Sequence, residues 1–312
     1  MSLTSEGGVS PDASGSSVHA YEALNDDNDA RWAFGVSASG VGFDRPLAGL
    51  DASVPSGVDG AQLAAYCLML GDDALVMSHR LQEWCTNAPE LEEEVALANI
   101  ALDLLGQARF LLARAGAADG SERDEDAFAF GRHEGQYRNV RLVEVENGDF
   151  ACSMARLLVF SSWRLALLDR LRHSVDPVLA AIAAKAVNEV AYHRDYAAGW
   201  VVRLGDGTAV SHRRMQAGLD EVWPWLDELF VAHPIETALS AAGVAVDPAA
   251  VRDEVDEVVA QVIATATLAG PGRASRAGVA GRTGRDGVHT EALGLMLAEM
   301  QSVARAHPGA TW

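Results

Sequence analysis

A chain of 312 residues, 49% of them apolar, can bury a large core, and its net charge of −20 excludes nucleic acid or an anionic membrane as a main partner, because phosphate binding needs clustered cations. No uninterrupted apolar run reaches the roughly 18 residues that span a bilayer. The opening MSLTSEGGVSPDASGSS lacks the basic and apolar regions of a signal peptide, so the cytoplasm is the expected location.

Residues 1–57 are rich in Gly, Ser, Asp and Pro and carry eight acidic residues against Arg31 and Arg45. That composition predicts a disordered acidic extension, with residues 58–312 forming the folded helical domain. From Asp59 the pattern changes: Leu63, Cys67, Leu70, Ala74, Met77, Leu81 and Trp84 recur at steps of three and four, one face of a helix ending near Thr86 and Asn87. Pro89 with Glu90, Glu92, Glu93 and Glu94 opens a second helix, since proline fits a first turn and carboxylates suit the positive end of the helix dipole. Gly116 is its expected stop. This helix carries two apolar stripes, one through Leu91, Val95, Ala98, Leu102 and Leu105 and one through Leu97, Ile100, Leu104 and Leu111, which predicts packing on both sides.

Residues 117–147 read as a polar connection. Asp149 starts a third helix through Phe160 to Leu171, and Ser174-Val175-Asp176-Pro177 starts a fourth that ends at Gly205-Asp206-Gly207. A fifth segment, about 211–230, must break at Pro224, where the flanking Trp223 and Trp225 are candidate interface anchors. Shorter helices follow near 235–242 and 248–268, then a Gly-rich loop over 270–288 with Arg273, Arg276, Arg282 and Arg285, and a last helix from Thr290 to about Arg305. That loop reads either as solvated or as a dock for an acidic partner or a CoA phosphate. Cys67, Cys85 and Cys152 are far apart and read as free thiols. Four long helices with apolar inner faces and additional C-terminal helices make an all-α bundle.

Such a bundle holds two irons when two helices each give a carboxylate and the other two each give Glu-x-x-His, whose spacing stacks both ligands on one inward face. Only fragments of that pattern occur. On the second helix Leu104 stands where the glutamate belongs and Gln107 where the histidine belongs. On the fourth, His193 is kept but Val190 occupies the glutamate position, with Glu189 one residue off. The third helix has no Asp or Glu from Phe150 to Leu168, and Asp72, Asp73 and Glu83 on the first lack a partner motif. The ligand set is degenerate, so neither metal ligands nor catalytic residues are expected. Two polar stripes survive, Asn99, Asp103 and Gln107 on one helix and Lys185, Glu189 and His193 on another. They either lie at helix edges, solvated or against a neighbouring subunit, or form a metal-free structural cluster of Asp103, Lys185, Glu189 and His193 inside the bundle.

Several stretches resemble the C subunit of bacterial phenylacetyl-CoA ring epoxidases. They include Leu70-Gly71-Asp72-Asp73, Arg80-Leu81-Gln82-Glu83-Trp84-Cys85, Ala88-Pro89-Glu90-Leu91-Glu92 and the run from Leu97 to Arg109. Further along come Asn147-Gly148-Asp149-Phe150-Ala151, the run from Leu179 to Ala186, Arg203-Leu204-Gly205-Asp206-Gly207-Thr208, and the end from His289 to Trp312. The resemblance runs almost continuously from Asp59. It implies a ferritin-like four-helix bundle and a structural rather than catalytic role in an NADPH- and O2-dependent monooxygenase that epoxidises phenylacetyl-CoA. It further implies a related catalytic oxygenase subunit with the di-iron centre, a small bridging subunit, and a reductase with flavin, iron–sulfur cluster and NADPH. Two other readings stand beside it: an active di-iron oxygenase with irregular ligands, and a helical adaptor with no oxygenase role.

Overall fold

The computed structural model describes residues 46–47, 50–121, 123–272, 281–308 and 310. Most of the expected acidic extension, the middle of the Gly-rich loop with Arg273 and Arg276, and Trp312 lie outside the described residues. The part of the extension that is described runs along the bundle, with Leu50, Ala52 and Val54 packed on the core. Arg114 donates to the carbonyls of Ala52 (2.6 Å) and Ser53 (3.3 Å) there.

Among the described residues the chain is all helical, without a strand. Four long helices form the core: α1 (Gly60–Gln82), α2 (Leu91–Asp119), α4 (Phe150–Leu171) and α5 (Pro177–Gly205). Three of the four starts carry a side-chain cap. The Asp59, Asp149 and Asp176 carboxylates accept from the amides of Ala61, Cys152 and Leu179 at 2.8, 3.0 and 2.8 Å, and Pro177 occupies the first turn of α5. The end of α2 differs from the sequence expectation. Gly116 lies inside the helix, and Gly120, at φ 69°, closes it. Gly116 serves close packing instead, since a Cβ there would sit 2.0 Å from the Arg123 carbonyl oxygen.

Cross-helix contacts give the direction of each helix. Ser78 of α1 donates to Ala101 O of α2 at 2.6 Å, while the start of α1 at Gly60 abuts Ala118 near the end of α2. Phe150, first in α4, stacks edge-on against Trp200, late in α5, at 5.0 Å. Both hairpins are therefore antiparallel. Arg164 to Leu70 O (3.3 Å) and Trp84 to Ser153 (3.0 Å) run α4 against α1, and Asp103 to His193 (3.0 Å) runs α2 against α5. The resulting order is up, down, down, up, so the chain must cross the length of the bundle between α2 and α4.

That crossover is residues 120–149, the stretch read as a polar connection, and it is neither polar inside nor unstructured. It holds α3 (Glu125–Phe130) and 3₁₀ turns at Glu134–Gln136 and Arg141–Glu144, and it buries Phe128, Tyr137, Val140, Leu142 and Val143. Apart from the run Ala127–Phe130, its apolar residues come singly or in pairs, without a helical period, so the pattern concealed their burial. Of the C-terminal elements, α6 (Ala209–Val222) and α8 (Arg252–Thr265) pack on α4 and α5, and α7 (Pro234–Ala241) packs on α1. The last pair, α9 (Glu291–Met300) and α10 (Ser302–Ala306), lies on the crossover: Gln301 donates to the carbonyls of Ala129 and Arg132 at 2.8 and 3.0 Å.

By length and composition α2 and α4 both resemble membrane spans, but 94% of the most apolar window of α4 is buried by the other helices. On α2 only one apolar stripe is fully covered. Leu97, Ile100, Leu104 and Leu111 are buried, whereas Leu91, Val95 and Leu102 are 71%, 53% and 36% exposed. Of the second stripe, Ala98 and Leu105 are half-buried, so α2 is packed on that side only in part within this chain.

Candidate functional site

The four core helices converge on a polar cluster halfway along the bundle. From α2 come Asp103 and Gln107, one turn apart; from α5 come Glu189 and His193, also one turn apart. The two helices are antiparallel, so the pairs face each other as rungs. His193 Nε2 donates to Asp103 Oδ2 at 3.0 Å, and Gln107 Nε2 donates to Glu189 Oε2 at 2.9 Å. Gln107 and His193 are buried, and the Asp103 side chain remains 30% exposed. The structure thus brings together three of the four residues singled out as a cluster. The fourth, Lys185, holds its ammonium 5.6 Å above the Phe110 ring and lends Glu189 a favourable charge, but the hydrogen bond to Glu189 comes from Gln107.

The centre of the cluster is a residue that pattern reading passed over. Arg164, from α4, is buried and donates from Nε to Gln107 Oε1 at 2.9 Å and from Nη1 to the Leu70 carbonyl of α1 at 3.3 Å. Its Nη2 is buried with no hydrogen-bond acceptor among the described residues. The sequence carried little signal, because an arginine on an apolar helix ordinarily marks the solvent-facing side. Burial lowers the Arg164 pKa to about 10, which leaves it charged at neutral pH. Burial also pushes the Glu189 carboxyl up to about 7, the nearby Asp103 charge adding to the rise and the Gln107 hydrogen bond opposing it. His193 is lowered by burial, with its bond to Asp103 working the other way, and is neutral at pH 7.

The carboxylates of α1 are engaged elsewhere. Asp72 takes a bidentate pair from Arg132 (2.9 and 2.5 Å) and the Arg138 amide (2.8 Å). Asp73 takes a bidentate pair from Arg285 (3.0 and 2.9 Å) and the Val140 amide (2.8 Å). Both staple loops to the bundle. Arg285, read as part of a solvated or docking loop, is buried in that pair, whereas Arg282 is exposed and donates to Asp286 O at 2.9 Å. Glu144 plays the same part for the C-terminal segment, accepting from His289 Nδ1 and the Thr290 amide at 2.6 and 2.7 Å.

Of the proposed interface anchors, Trp225 is buried against this chain's own core, with the Arg141 guanidinium 5.5 Å from its ring, and Trp223 is half-buried. The helix break turns both inward, because the 3₁₀ turns at Trp223–Trp225 and Asp227–Phe230 fold back on the core. Trp225 is thereby taken up by this chain's own core, whereas Trp223 keeps part of its surface exposed.

A bundle running up, down, down, up, with one long crossover and polar residues converging at mid-height, is a ferritin-like bundle, the class that houses di-iron centres. The residues here do not fit such a centre. Leu104 and Val190 are buried hydrocarbon, Gln107 offers an amide, and α4 contributes a cation. No group of three or more His, Cys, Asp or Glu among the described residues is arranged to hold a metal. The chain belongs to the phenylacetic acid catabolic protein family, which matches residues 53–312. It is 50% identical over 252 residues to the C subunit of the 1,2-phenylacetyl-CoA epoxidase of Escherichia coli (strain K12), covering 80% of this chain and 99% of that protein.

Proposed function

We propose that this chain is a structural, non-catalytic member of a cytoplasmic phenylacetyl-CoA epoxidising complex, supporting a related subunit that holds the di-iron centre. A reductase with flavin, iron–sulfur cluster and NADPH supplies the electrons in this reading, and a small bridging subunit joins assemblies. The observation that carries it is the donor set at the bundle centre. Side chains of Leu, Val, Gln and Arg occupy the places where the chemistry of O2 activation needs carboxylate and imidazole.

The exposed stripe on α2, Leu91, Val95 and Leu102, supports the partnership. Across from it on α5, Tyr192 is 54% exposed, its ring 6.3 Å from that of Tyr196. Glu93 of α2 accepts from Tyr196 and from Trp200 Nε1 (2.8 Å), which fixes α2 against α5 and makes that edge rigid. An apolar face on two long rigid helices suits a permanent interface of more than about 2,000 Å². Co-expression with the catalytic subunit, followed by size-exclusion chromatography with light scattering, tests this. A stable hetero-oligomer is expected, broken by Leu102→Glu without loss of fold. A monodisperse monomer that ignores its catalytic relative contradicts the role.

A further inference from the structure

Outside the central cluster, the C-terminal segment is tied to the crossover at a histidine and a glutamate, His289 and Glu144, whose side chains have no exposed surface. His289 Nε2 faces the Tyr137 carbonyl oxygen at 3.0 Å, and Nδ1 faces Glu144 Oε1 at 2.6 Å. A carbonyl oxygen only accepts, so Nε2 takes the single proton of a neutral ring. A second proton must then lie between Nδ1 and Oε1, because without it two lone pairs would face each other at that distance. Glu144 is filled with donors: Oε1 also accepts from Asn139 Nδ2 at 2.8 Å, and Oε2 from the Thr290 amide and hydroxyl, both at 2.7 Å. The extra proton therefore rests on the ring, which is a buried imidazolium against a carboxylate.

We propose that this contact is a proton-dependent latch, which holds residues 288–308 on the crossover and releases them as pH rises. It stands at the entry to the segment. Thr290, which gives Glu144 two of its donors, is the N-cap of α9. Beyond it α9 buries Leu293, Met296 and Leu297, and Gln301 Nε2 donates to Tyr137 Oη at 3.1 Å. From α1, Arg80 Nη2 donates to the carbonyls of Glu144 and Ala292 at 3.0 and 3.1 Å, while its Nη1 pairs with Glu83. Burial alone lowers the His289 pKa, but the bond to Glu144, its charge, the Tyr137 carbonyl and the Glu134 charge together raise it above the ordinary 6.5. The released ring gives up its proton from 6.5, whereas the docked ring keeps it to higher pH. Docking is therefore at full strength below about pH 6.5, weakens by up to about tenfold per pH unit above it, and levels off beyond the docked ring's own pKa. Loss of the proton sets a ring lone pair against a buried carboxylate, a cost relieved when the segment lifts and water reaches both groups.

The test is hydrogen–deuterium exchange of the full chain at several pH values, with rates corrected for the intrinsic effect of pH on amide exchange. In wild type the protection of α9, relative to that of α4, is expected to fall between about pH 6 and 9, by up to about tenfold per pH unit. His289→Gln, whose amide can donate to Glu144 at any pH, is expected to hold that ratio level. A wild-type ratio that does not move with pH overturns the inference, as does a His289→Gln ratio that falls as wild type does. If His289→Gln does not fold, the nine histidines of the wild-type chain, labelled with 15N, decide by their own titration. One ring that keeps two slowly exchanging N–H protons above pH 7 is the expected result. A chain in which every ring has given up its second proton by about pH 6.5 overturns the inference.

Discussion

Two buried charge clusters in this molecule use the same residue types to different ends. Around Asp72 and Asp73, each carboxylate receives two guanidinium nitrogens and a backbone amide, all within 3.0 Å, and the outcome is a staple that holds the crossover and the 281–290 segment on α1. Around Arg164, among the described residues, the guanidinium has one amide oxygen, one carbonyl and a nitrogen without an acceptor, and Glu189 accepts from Gln107. Complete satisfaction marks a contact kept for stability, because a buried group without its partner is costly. The centre, where four helices converge, is satisfied less completely, and its groups should contribute less to stability.

If that contrast is right, removing one member of the staple should do most harm. Asp73→Ala strands Arg285, whose side chain is 4% exposed, and should cost about 3–5 kcal/mol. For a folded region of this size that is a fall in Tm on the order of 10 °C in a thermal melt. A melt unchanged within about 2 °C would erase the distinction between the two clusters. The equivalent change in the centre, Asp103→Ala, should cost only about 1 kcal/mol, because Asp103 is part-exposed and its partner His193 is neutral.

Glu189 sharpens the contrast through pH. The unfolded chain ionises this carboxyl from its ordinary value of 4.5, whereas burial in the fold holds it protonated up to about pH 7. Below about pH 4.5 both states carry the proton and the group contributes nothing to the pH dependence. Between those values the unfolded state releases a proton that the folded state keeps, so stability falls as pH rises and levels off above about 7. Glu189→Gln removes the slope while keeping an oxygen to accept from Gln107. Its stability relative to wild type should therefore rise by on the order of 1–2 kcal/mol across that window, less than a fully buried carboxyl would give. Denaturant titrations at several pH values measure this, and a constant difference between the two chains would contradict the burial of Glu189.

Much of the architecture was legible in the sequence. Helix periodicity, the caps Asp149 and Asp176 with Pro177, and the break at Pro224 are local signals, and the structure places those boundaries within a few residues of the reading. The crossover was not legible, because its buried residues follow no period and its value lies in long-range pairs such as Arg132 with Asp72. Gly116 misled for a related reason: a glycine needed for close approach to the Arg123 carbonyl looks in sequence like one needed for a stop. At the centre, the inward places of Leu104, Gln107 and Val190 could be read by spacing alone. The residue that fills the space, Arg164, comes from a helix scanned for acids, and only the fold shows it bonded to Gln107. Likewise Trp225 had the composition of an interface residue and the position of a core one.

The central claim is that the polar cluster of Asp103, Gln107, Arg164, Glu189 and His193 is not a metal site. Iron content after anaerobic reconstitution of the full purified chain with ferrous iron tests it most directly, with the excess removed by desalting. The account predicts far less than one iron per chain. About two irons per chain, the complement of a ferritin-like di-iron centre, would contradict it.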